Sequence, residues 1–362
     1  MKRLKLAYFG TPHFSARFLE KLLTDISIKH LIEIKLIVTQ PDKPIGRKQI
    51  LTKSPVKLVA EKFNIPVLDS LRSLERYFDR TQYKYYSSSP ETKFGINSVE
   101  KNLKGLDLGL IYYYGKIIPK EILTIPKFGF WNIHFSLLPK LRGTTPATFS
   151  LILGDKKTAV SLVQTDEKLD HGDLIAQQEV IINPDEKRIE LEERLHNIAY
   201  KIFVEQINNL LNNKIKLTTQ NHSQATYTRF PTKNDGFILL STLKKALKNE
   251  PLNFEELPSI TQEYSTKYKV PILQRPSSIG TSSQVIFNLF RGLYPWPGIW
   301  TLVKIKGVDK RLKLTNLTIN PTSSRKTGLR GASNQQLTIN RVQLEGKKEV
   351  DFKTFNSAYS VF

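Results

Sequence analysis

Residues 4–23 read LKLAYFGTPHFSARFLEKLL, an apolar run that stops at Gly10, followed by apolar side chains at helical spacing. A short strand, a tight turn and an amphipathic helix in this order form the first half of a strand–helix–strand unit. The turn Gly10-Thr11-Pro12 is either a plain tight turn or a helix N-terminus that offers N–H groups to an anion. The segment therefore predicts an α/β fold.

The alternation of strands and helices continues to about residue 215. Further strands are predicted at residues 33–38, 106–112, 129–133, 159–165 and 174–181, and helices at about 54–63 and 188–212. Strands that alternate with helices form a mostly parallel sheet with helices on both faces. We therefore expect one α/β domain over residues 1–215, with a polar surface insertion around residues 83–96.

The pattern changes beyond residue 215. Residues 216–240 lack a sustained period and contain Pro231 and Gly236, which predicts a linker. After a helical segment at 240–248, short alternating runs at residues 285–290, 300–305, 312–319 and 337–344 predict strands. We therefore expect a small antiparallel β domain over residues 241–362.

Composition excludes several classes of protein. Of the 362 residues, 40% are hydrophobic and 24% charged, which is typical of folded domains. The absence of cysteine excludes disulfides, thiolate metal sites and cysteine nucleophiles. Because no apolar run approaches the roughly 18 residues of a spanning helix and no signal peptide is recognised, we expect a cytoplasmic protein without membrane contact.

Positive charge is concentrated in the second part of the chain. The net charge is +22, with 33 basic and 24 acidic side chains in residues 1–215, but 22 and 9 in residues 216–362. This asymmetry predicts a polyanionic partner for the second part, with nucleic acid favoured over anionic lipid. A general drift to lysine-rich composition is the alternative explanation.

A dense group of polar residues lies in the segment WNIHFSLLPKLRG at residues 131–143. Asn132 and His134 are two residues apart, so on a strand both side chains point to the same face. An amide and an imidazole on one face at the mouth of a parallel sheet can stabilise a developing oxyanion. The alternative is a histidine that bonds to backbone at a strand end.

A second polar segment, TDEKLDHGD at residues 165–173, lies between two predicted strands and contains four carboxylates. One of them can orient the ring of His134 by hydrogen bonding. A solvated turn is the alternative. The six histidines of the chain show no pair at the spacing of helical metal ligands, so we expect no metal site.

Together these motifs resemble the signature of the folate-dependent formyltransferases. The resemblance rests on NIH, SLLP and RG within residues 132–143 and on LDHGD at residues 169–173. Four further segments resemble the members that act on methionyl-tRNA: GTP at 10–12, QPDKPIGR at 40–47 with SPVK at 54–57, ATYT at 225–228, and YPWPGIW at 294–300. The likeness is strong over residues 1–185 and patchy beyond.

The resemblance implies a fold and a reaction. Residues 1–215 would form a Rossmann-like catalytic domain, residues 216–240 a linker, and residues 241–362 an OB-like β-barrel that binds tRNA. The enzyme would transfer the formyl group of 10-formyltetrahydrofolate to the α-amine of initiator methionyl-tRNA for translation initiation. It would act as a monomer without a stable protein partner.

The resemblance also implies site residues. The catalytic residues would be Asn132, His134 and Asp170. The pocket for 10-formyltetrahydrofolate would include Tyr114, Gly115, Ser136, Leu137, Leu138 and Pro139. An insertion at residues 41–53 would contact tRNA through Arg47, Lys43 and Lys48. Phe135 and His171 depart from the family pattern, which has a small residue and a threonine there.

Two alternatives remain open. A sugar-nucleotide N-formyltransferase, or a domain that hydrolyses formyltetrahydrofolate, would share the N-terminal motifs but would not need the basic second part. A non-catalytic RNA-binding relative would share the charge distribution but would not need an intact Asn132, His134 and Asp170.

Overall fold

The computed structural model describes residues 3–46, 48–68, 104–270, 281–321 and 335–362. The chain divides into two compact units whose segments alternate along the sequence. The first contains Met1–His134, Val160–Gln178 and His196–Ala225, and the second contains Phe135–Ala159, Glu179–Leu195 and Thr226–Phe362. The insertion expected around residues 83–96 lies outside the described residues.

The strands of the first part of the chain are mostly short and buried. In chain order they are β1 (Leu4–Gly10), β2 (Ile32–Val38), β3 (Lys43–Ile45), β4 (Ile50–Thr52), β5 (Val67–Leu68), β6 (Leu108–Tyr112), β7 (Phe130–His134), β8 (Arg142–Gly143), β9 (Lys157–Gln164), β10 (Leu174–Ile181) and β11 (Tyr227–Thr228). Seven of them form one sheet in the order β10-β9-β7-β6-β1-β2-β5. The pairs from β5 to β7 are parallel, whereas β7 and β9 run antiparallel, which confirms a mostly parallel sheet.

The helices of this part lie between the strands in sequence. They are α1 (His13–Thr24), α2 (Ile26–Lys29), α3 (Pro55–Lys62), α4 (Lys120–Leu123), α5 (Pro146–Ile152) and α6 (Arg188–Leu211), close to the bounds expected for α1, α3 and α6. Within the described ranges, no helix combines the length and apolar composition needed to cross a bilayer.

Helices cover both faces of the sheet in the first unit. On one face, the ring of Phe18 in α1 packs against Tyr112 at 4.5 Å and against Phe203 in α6 at 6.0 Å. On the other face, α4 joins Phe9 and Phe130 in a buried apolar cluster. A Cβ atom at Gly10 would lie 1.9 Å from Ser15 Oγ, so close packing of the strand end against α1 requires this glycine.

The second unit contains a separate antiparallel sheet. Its strands are β12 (Ile299–Ile305), β13 (Val308–Pro321), β14 (Gln335–Leu344) and β15 (Glu349–Asp351), paired in that order. The helices α7 (Leu240–Leu247), α8 (Ser259–Tyr268), α9 (Ser282–Leu293) and α10 (Phe352–Tyr359) accompany it. The expected antiparallel sheet in this part of the chain is therefore confirmed, and the bounds 241–362 for a separate domain stay a prediction.

One predicted strand is wrong. Residues 285–290, expected to be extended, lie inside α9, which begins where the Thr281 hydroxyl accepts a hydrogen bond from Gln284 N–H. Nearly all of α9 is buried, including the polar residues Ser283, Asn288 and Arg291. Five of the six residues from Val285 to Phe290 are apolar, and so short an apolar window cannot distinguish a buried helix from a strand.

Candidate active site

Two predicted site residues lie on β7, in the middle of the sheet. Asn132 pairs with Ile111 on β6 and with Val163 on β9, and His134 ends the strand opposite Ser161. The His134 side chain is only 5% exposed. Both side chains therefore sit near the carboxyl end of a central strand, where sheets of this type bind ligands.

Asp170 joins these two side chains. It lies in the loop between β9 and β10, and its side chain is 6% exposed. Its Oδ1 accepts a hydrogen bond from Asn132 Nδ2 at 2.9 Å, and its Oδ2 lies 3.5 Å from His134 Nδ1. One buried carboxylate thus contacts both the amide and the imidazole, and the structure brings the three predicted catalytic residues together.

The backbone of Asp170 is held by a residue that sequence reasoning missed. Asp170 has φ +49°, in the left-handed region that non-glycine residues rarely adopt. Gln220, itself buried, donates from Nε2 to the carbonyl oxygens of Asp170 at 3.0 Å and Gly172 at 2.7 Å. Gln220 lies in the predicted linker, 50 residues from Asp170, and no local pattern pointed to it.

His171 has its own partners beside Asp170. Its Nδ1 lies 2.6 Å from Asp166 Oδ2, and its ring stacks on His222 with 3.9 Å between centroids. The departure from the family pattern at His171 is therefore accommodated by a carboxylate and a second imidazole. These contacts and those of Gln220 fix the loop that presents Asp170.

A groove of about 830 Å³ opens beside this loop in the first unit. Its walls come from three segments, within residues 120–131, 164–171 and 210–217. The wall includes Trp131 and His171, which are the sequence neighbours of Asn132 and Asp170. It also includes the lysines Lys120, Lys127 and Lys168. None of the three clustered residues, Asn132, His134 and Asp170, belongs to its wall.

The predicted pocket residues fall into two groups. The Tyr114 ring is buried against Phe9, while its carbonyl accepts hydrogen bonds from Thr11 Oγ1 and Gln40 Nε2, so any contribution of Tyr114 to a pocket would come from its backbone. Gly115 follows with φ +76° and is exposed.

The second group, Ser136, Leu137, Leu138 and Pro139, belongs to the second unit. There the Ser136 hydroxyl donates to the Lys140 carbonyl at 2.6 Å, and Leu138 N–H donates to the Ser136 carbonyl, which makes the segment a tight turn. The segment that follows β7 is therefore held by its own hydrogen bonds.

The insertion at residues 41–53 is a two-stranded antiparallel ribbon rather than an irregular loop. β3 pairs with β4, and Ile45, Ile50 and Leu51 are all more than half exposed. Lys43 and Lys48 are exposed as well, whereas Arg47 lies outside the described residues. Lys43 Nζ donates to Gln40 Oε1, and Gln40 in turn bonds the Tyr114 carbonyl, so the ribbon is anchored to the loop after β6.

Comparison with known sequences identifies relatives of the whole chain. Residues 3–207 match the family described as formyl transferase, and residues 280–360 match the formyl transferase C-terminal domain. A methionyl-tRNA formyltransferase from Caldicellulosiruptor saccharolyticus is 31% identical over 99% of this chain and 98% of its own length. One from Alkaliphilus oremlandii is 38% identical over 68% of this chain and 72% of its own length.

Comparison with solved structures identifies the same fold. A 4-N formyltransferase from Francisella tularensis aligns with a TM-score of 0.54 at 16% identity, covering 86% of this chain and 97% of its own. An N-formyltransferase from Helicobacter canadensis, solved with folinic acid and dTDP-3-aminofucose, aligns with a TM-score of 0.51 at 17% identity, covering 88% and 89%. At this level of identity the likeness concerns the fold.

Proposed function

Because the chain belongs to the formyl transferase family, in the branch of the methionyl-tRNA formyltransferases, we propose that it transfers a formyl group from 10-formyltetrahydrofolate to the α-amine of initiator methionyl-tRNA. The observation that carries the proposal is the buried Asp170 carboxylate in contact with both Asn132 and His134. In acyl transfer to an amine the acceptor supplies the nucleophile, so the enzyme has only to stabilise charge and move protons. An amide, an imidazole and a carboxylate suit these two tasks.

Asn132 and His134 stabilise the charge that develops during the transfer. When the amine attacks the formyl carbon, negative charge grows on the formyl oxygen. The Asn132 amide has two N–H groups on Nδ2, and a hydrogen bond to Asp170 fixes the nitrogen end. The second N–H and the His134 ring then donate to the developing oxyanion.

Asp170 has two functions in this scheme. It holds Asn132 and His134 in the orientation that transfer requires, and it assists removal of the amine proton, directly or through a water molecule. The bond between the formyl carbon and the folate nitrogen breaks as the new amide bond forms, and that nitrogen takes up a proton. No enzyme nucleophile and no covalent intermediate are needed.

The donor is proposed to bind where its formyl carbon can reach Asn132, His134 and the loop that presents Asp170. The donor supplies an activated formyl group when bound. A fold relative solved with folinic acid supports this choice of donor class.

The tRNA is proposed to contact two parts of the chain. The ribbon of β3 and β4 carries exposed Lys43 at its base, opposite Thr52, and exposed Lys48 between the two strands, next to Arg47 in the sequence. The second part of the chain carries most of the excess positive charge. Phosphate contacts from these side chains would position the acceptor end without reading its sequence.

An acceptor comparison tests the proposal. The purified protein is incubated with 10-formyltetrahydrofolate and, in separate reactions, methionyl-tRNA, an amino-sugar nucleotide, or buffer alone. We expect N-formylmethionyl-tRNA as the dominant product. Formylation of the sugar, or release of formate in buffer, would favour the two enzymatic alternatives, and no turnover of any acceptor would favour the RNA-binding alternative.

A further inference from the structure

The antiparallel sheet of the second unit carries a pocket that the proposed reaction does not use. The pocket encloses about 290 Å³, and its walls include Trp296, Trp300, Lys233, Arg311 and Lys313. Its lining residues include two tryptophans and three cationic residues. This combination suits a ligand that has both a flat aromatic ring and negative charge.

The two indoles differ in how firmly they are held. Trp300 Nε1 donates to the Lys233 carbonyl at 3.0 Å, and its ring packs against Phe237 with 4.8 Å between centroids. Trp296 is instead 56% exposed. A large aromatic side chain left open beside a fixed one is available to stack on an incoming ring.

The cations are placed close to these rings. The guanidinium carbon of Arg311 lies 6.0 Å from the centroid of a Trp300 ring. The Lys313 side chain crosses Gly298, because a Cβ atom there would lie only 2.8 Å from Lys313 Cε. Gly298 has φ +73°, so a glycine here both permits the turn and leaves room for the lysine.

The wall also contains a carboxylate, that of Glu345. Glu345 Oε2 accepts a hydrogen bond from the backbone N–H of Arg311 at 3.2 Å. The backbone N–H of Glu345 in turn donates to the Arg311 carbonyl at 2.9 Å. The carboxylate is thus directed to backbone, and Lys313 also lies close enough to Glu349, outside the pocket wall, for a Coulombic interaction. The wall itself contains three cationic residues and one carboxylate. The pocket therefore has a net positive charge.

We propose that this pocket binds one unpaired nucleotide of an RNA, with the base stacked on Trp296 and the phosphate held by Arg311, Lys313 and Lys233. A base inside a duplex offers no free ring face, so the pocket selects a nucleotide that is not paired. The inference rests on the proposed function in one respect: the RNA that presents the nucleotide is the tRNA substrate. The recognition is tolerant of sequence, because every base has a ring face.

Tryptophan fluorescence tests the pocket directly. The chain has three tryptophans, of which Trp131 is 1% exposed in the first unit and the other two line the pocket. We expect a single-stranded RNA hexamer to quench the emission and shield it from acrylamide, and an RNA duplex of equal length to do neither. Equal quenching by both RNAs would contradict the proposal.

Substitutions separate stacking from charge. Trp296→Ala should weaken hexamer binding about tenfold, whereas Trp296→Phe should retain most of the affinity because stacking is kept. Phe230→Ala removes a similarly exposed aromatic ring away from the pocket and should have no effect. Unchanged hexamer binding by Trp296→Ala would overturn the proposal.

The charge contribution appears in the salt dependence. Arg311→Ala with Lys313→Ala should lower the slope of log affinity against log salt by about two, since each lost phosphate contact removes about one. The control Lys353→Ala removes an exposed lysine of α10 that is not part of the pocket wall. It should leave the salt dependence of hexamer binding unchanged. Identical slopes for the double variant and the control would contradict the phosphate contacts.

Formylation kinetics distinguish the two proposals. If the wild-type protein forms N-formylmethionyl-tRNA, Trp296→Ala should raise KM for the tRNA several-fold and leave kcat unchanged. If methionyl-tRNA is not formylated but the hexamer still binds through Trp296, only the proposed function fails. If formylation proceeds and Trp296→Ala changes neither KM nor hexamer binding, only the pocket proposal fails.

Discussion

Asn132 and Asp170, 38 residues apart in the sequence, are joined by a hydrogen bond of 2.9 Å from Nδ2 to Oδ1. Because a carboxylate accepts and cannot donate when ionised, this bond determines which end of the Asn132 amide faces Asp170. The same carboxylate lies 3.5 Å from the His134 ring. The buried Asp170 carboxylate therefore orients both the Asn132 amide and the His134 ring.

Removing either proposed oxyanion donor should abolish most turnover. We expect Asn132→Ala and His134→Ala each to lower kcat roughly 10²–10³-fold, because the developing charge loses a fixed donor. The affinity for tRNA should stay unchanged in a binding assay. Asn208→Ala removes an exposed amide from α6 and serves as control. More than about a tenth of wild-type turnover in either site variant would contradict the assignment.

Gln220 is predicted to be a positioning residue. Gln220→Met keeps the length of the side chain but removes both hydrogen bonds to the Asp170 loop, which should raise the barrier by roughly 1–3 kcal/mol. The loss should appear in kcat, with little change in KM for tRNA. Gln206→Met, at a buried position of α6, is the matched control. An equal loss in both variants would indicate general destabilisation instead.

The ribbon of β3 and β4 is predicted to contact tRNA. Arg47→Ala should weaken formylation by roughly 1–3 kcal/mol, the range for a good bidentate contact to nucleic acid. Folate binding should be unaffected. In limited proteolysis, tRNA should protect the bonds after Arg47 and Lys48, whereas folate should not. Equal cutting with and without tRNA would exclude this contact.

An ion pair in the second unit makes stability depend on pH. Burial alone would raise the pKa of Asp235, but hydrogen bonds from Arg229 and Thr232 outweigh it, so the pKa lies below its usual value of 3.8. Folding therefore favours the ionised form, and this contribution is present above about pH 4 and lost as the pH falls below it.

The test is urea unfolding of Asp235→Asn at several pH values. Asp235 is 3% exposed and pairs with Arg229 through both oxygens, so the variant should lose about 1–3 kcal/mol at pH 7 and show a shallower acid dependence. Asp351→Asn breaks an exposed pair with Arg341 and should lose less than about 1 kcal/mol. The same acid slope in Asp235→Asn as in wild type would contradict the prediction.

The sequence predicted the sheet well because its strands repeat a local pattern. β10 occupies the predicted residues, and β2, β6, β7 and β9 begin within two residues of them. The helix α9 was missed because five of the six residues at 285–290 are apolar, and so short a run fits a strand as well as a buried helix. The interleaving of the two units was not predictable either, since it depends on contacts between distant segments.

The site was predicted in part. Asn132 and His134 are two residues apart, and side chains at this spacing on a strand point to the same face, so their shared face of β7 was predictable. The bridging geometry of Asp170 and the two bonds of Gln220 needed the structure, because they connect loops 38 and 50 residues away. The Tyr114 ring packs in the core, where apolar burial favours it, and the role of Tyr114 in a cofactor pocket stays a prediction.

The role of the Asp170 carboxylate is measured by the single-turnover rate of formyl transfer to methionyl-tRNA in Asp170→Asn. Asparagine has nearly the same shape and tolerates a positive φ, so the loop should keep its conformation while the charge is lost. We expect a rate at least about 100-fold below wild type, with tRNA and folate affinities retained. A rate within tenfold of wild type would contradict the role given to the Asp170 carboxylate.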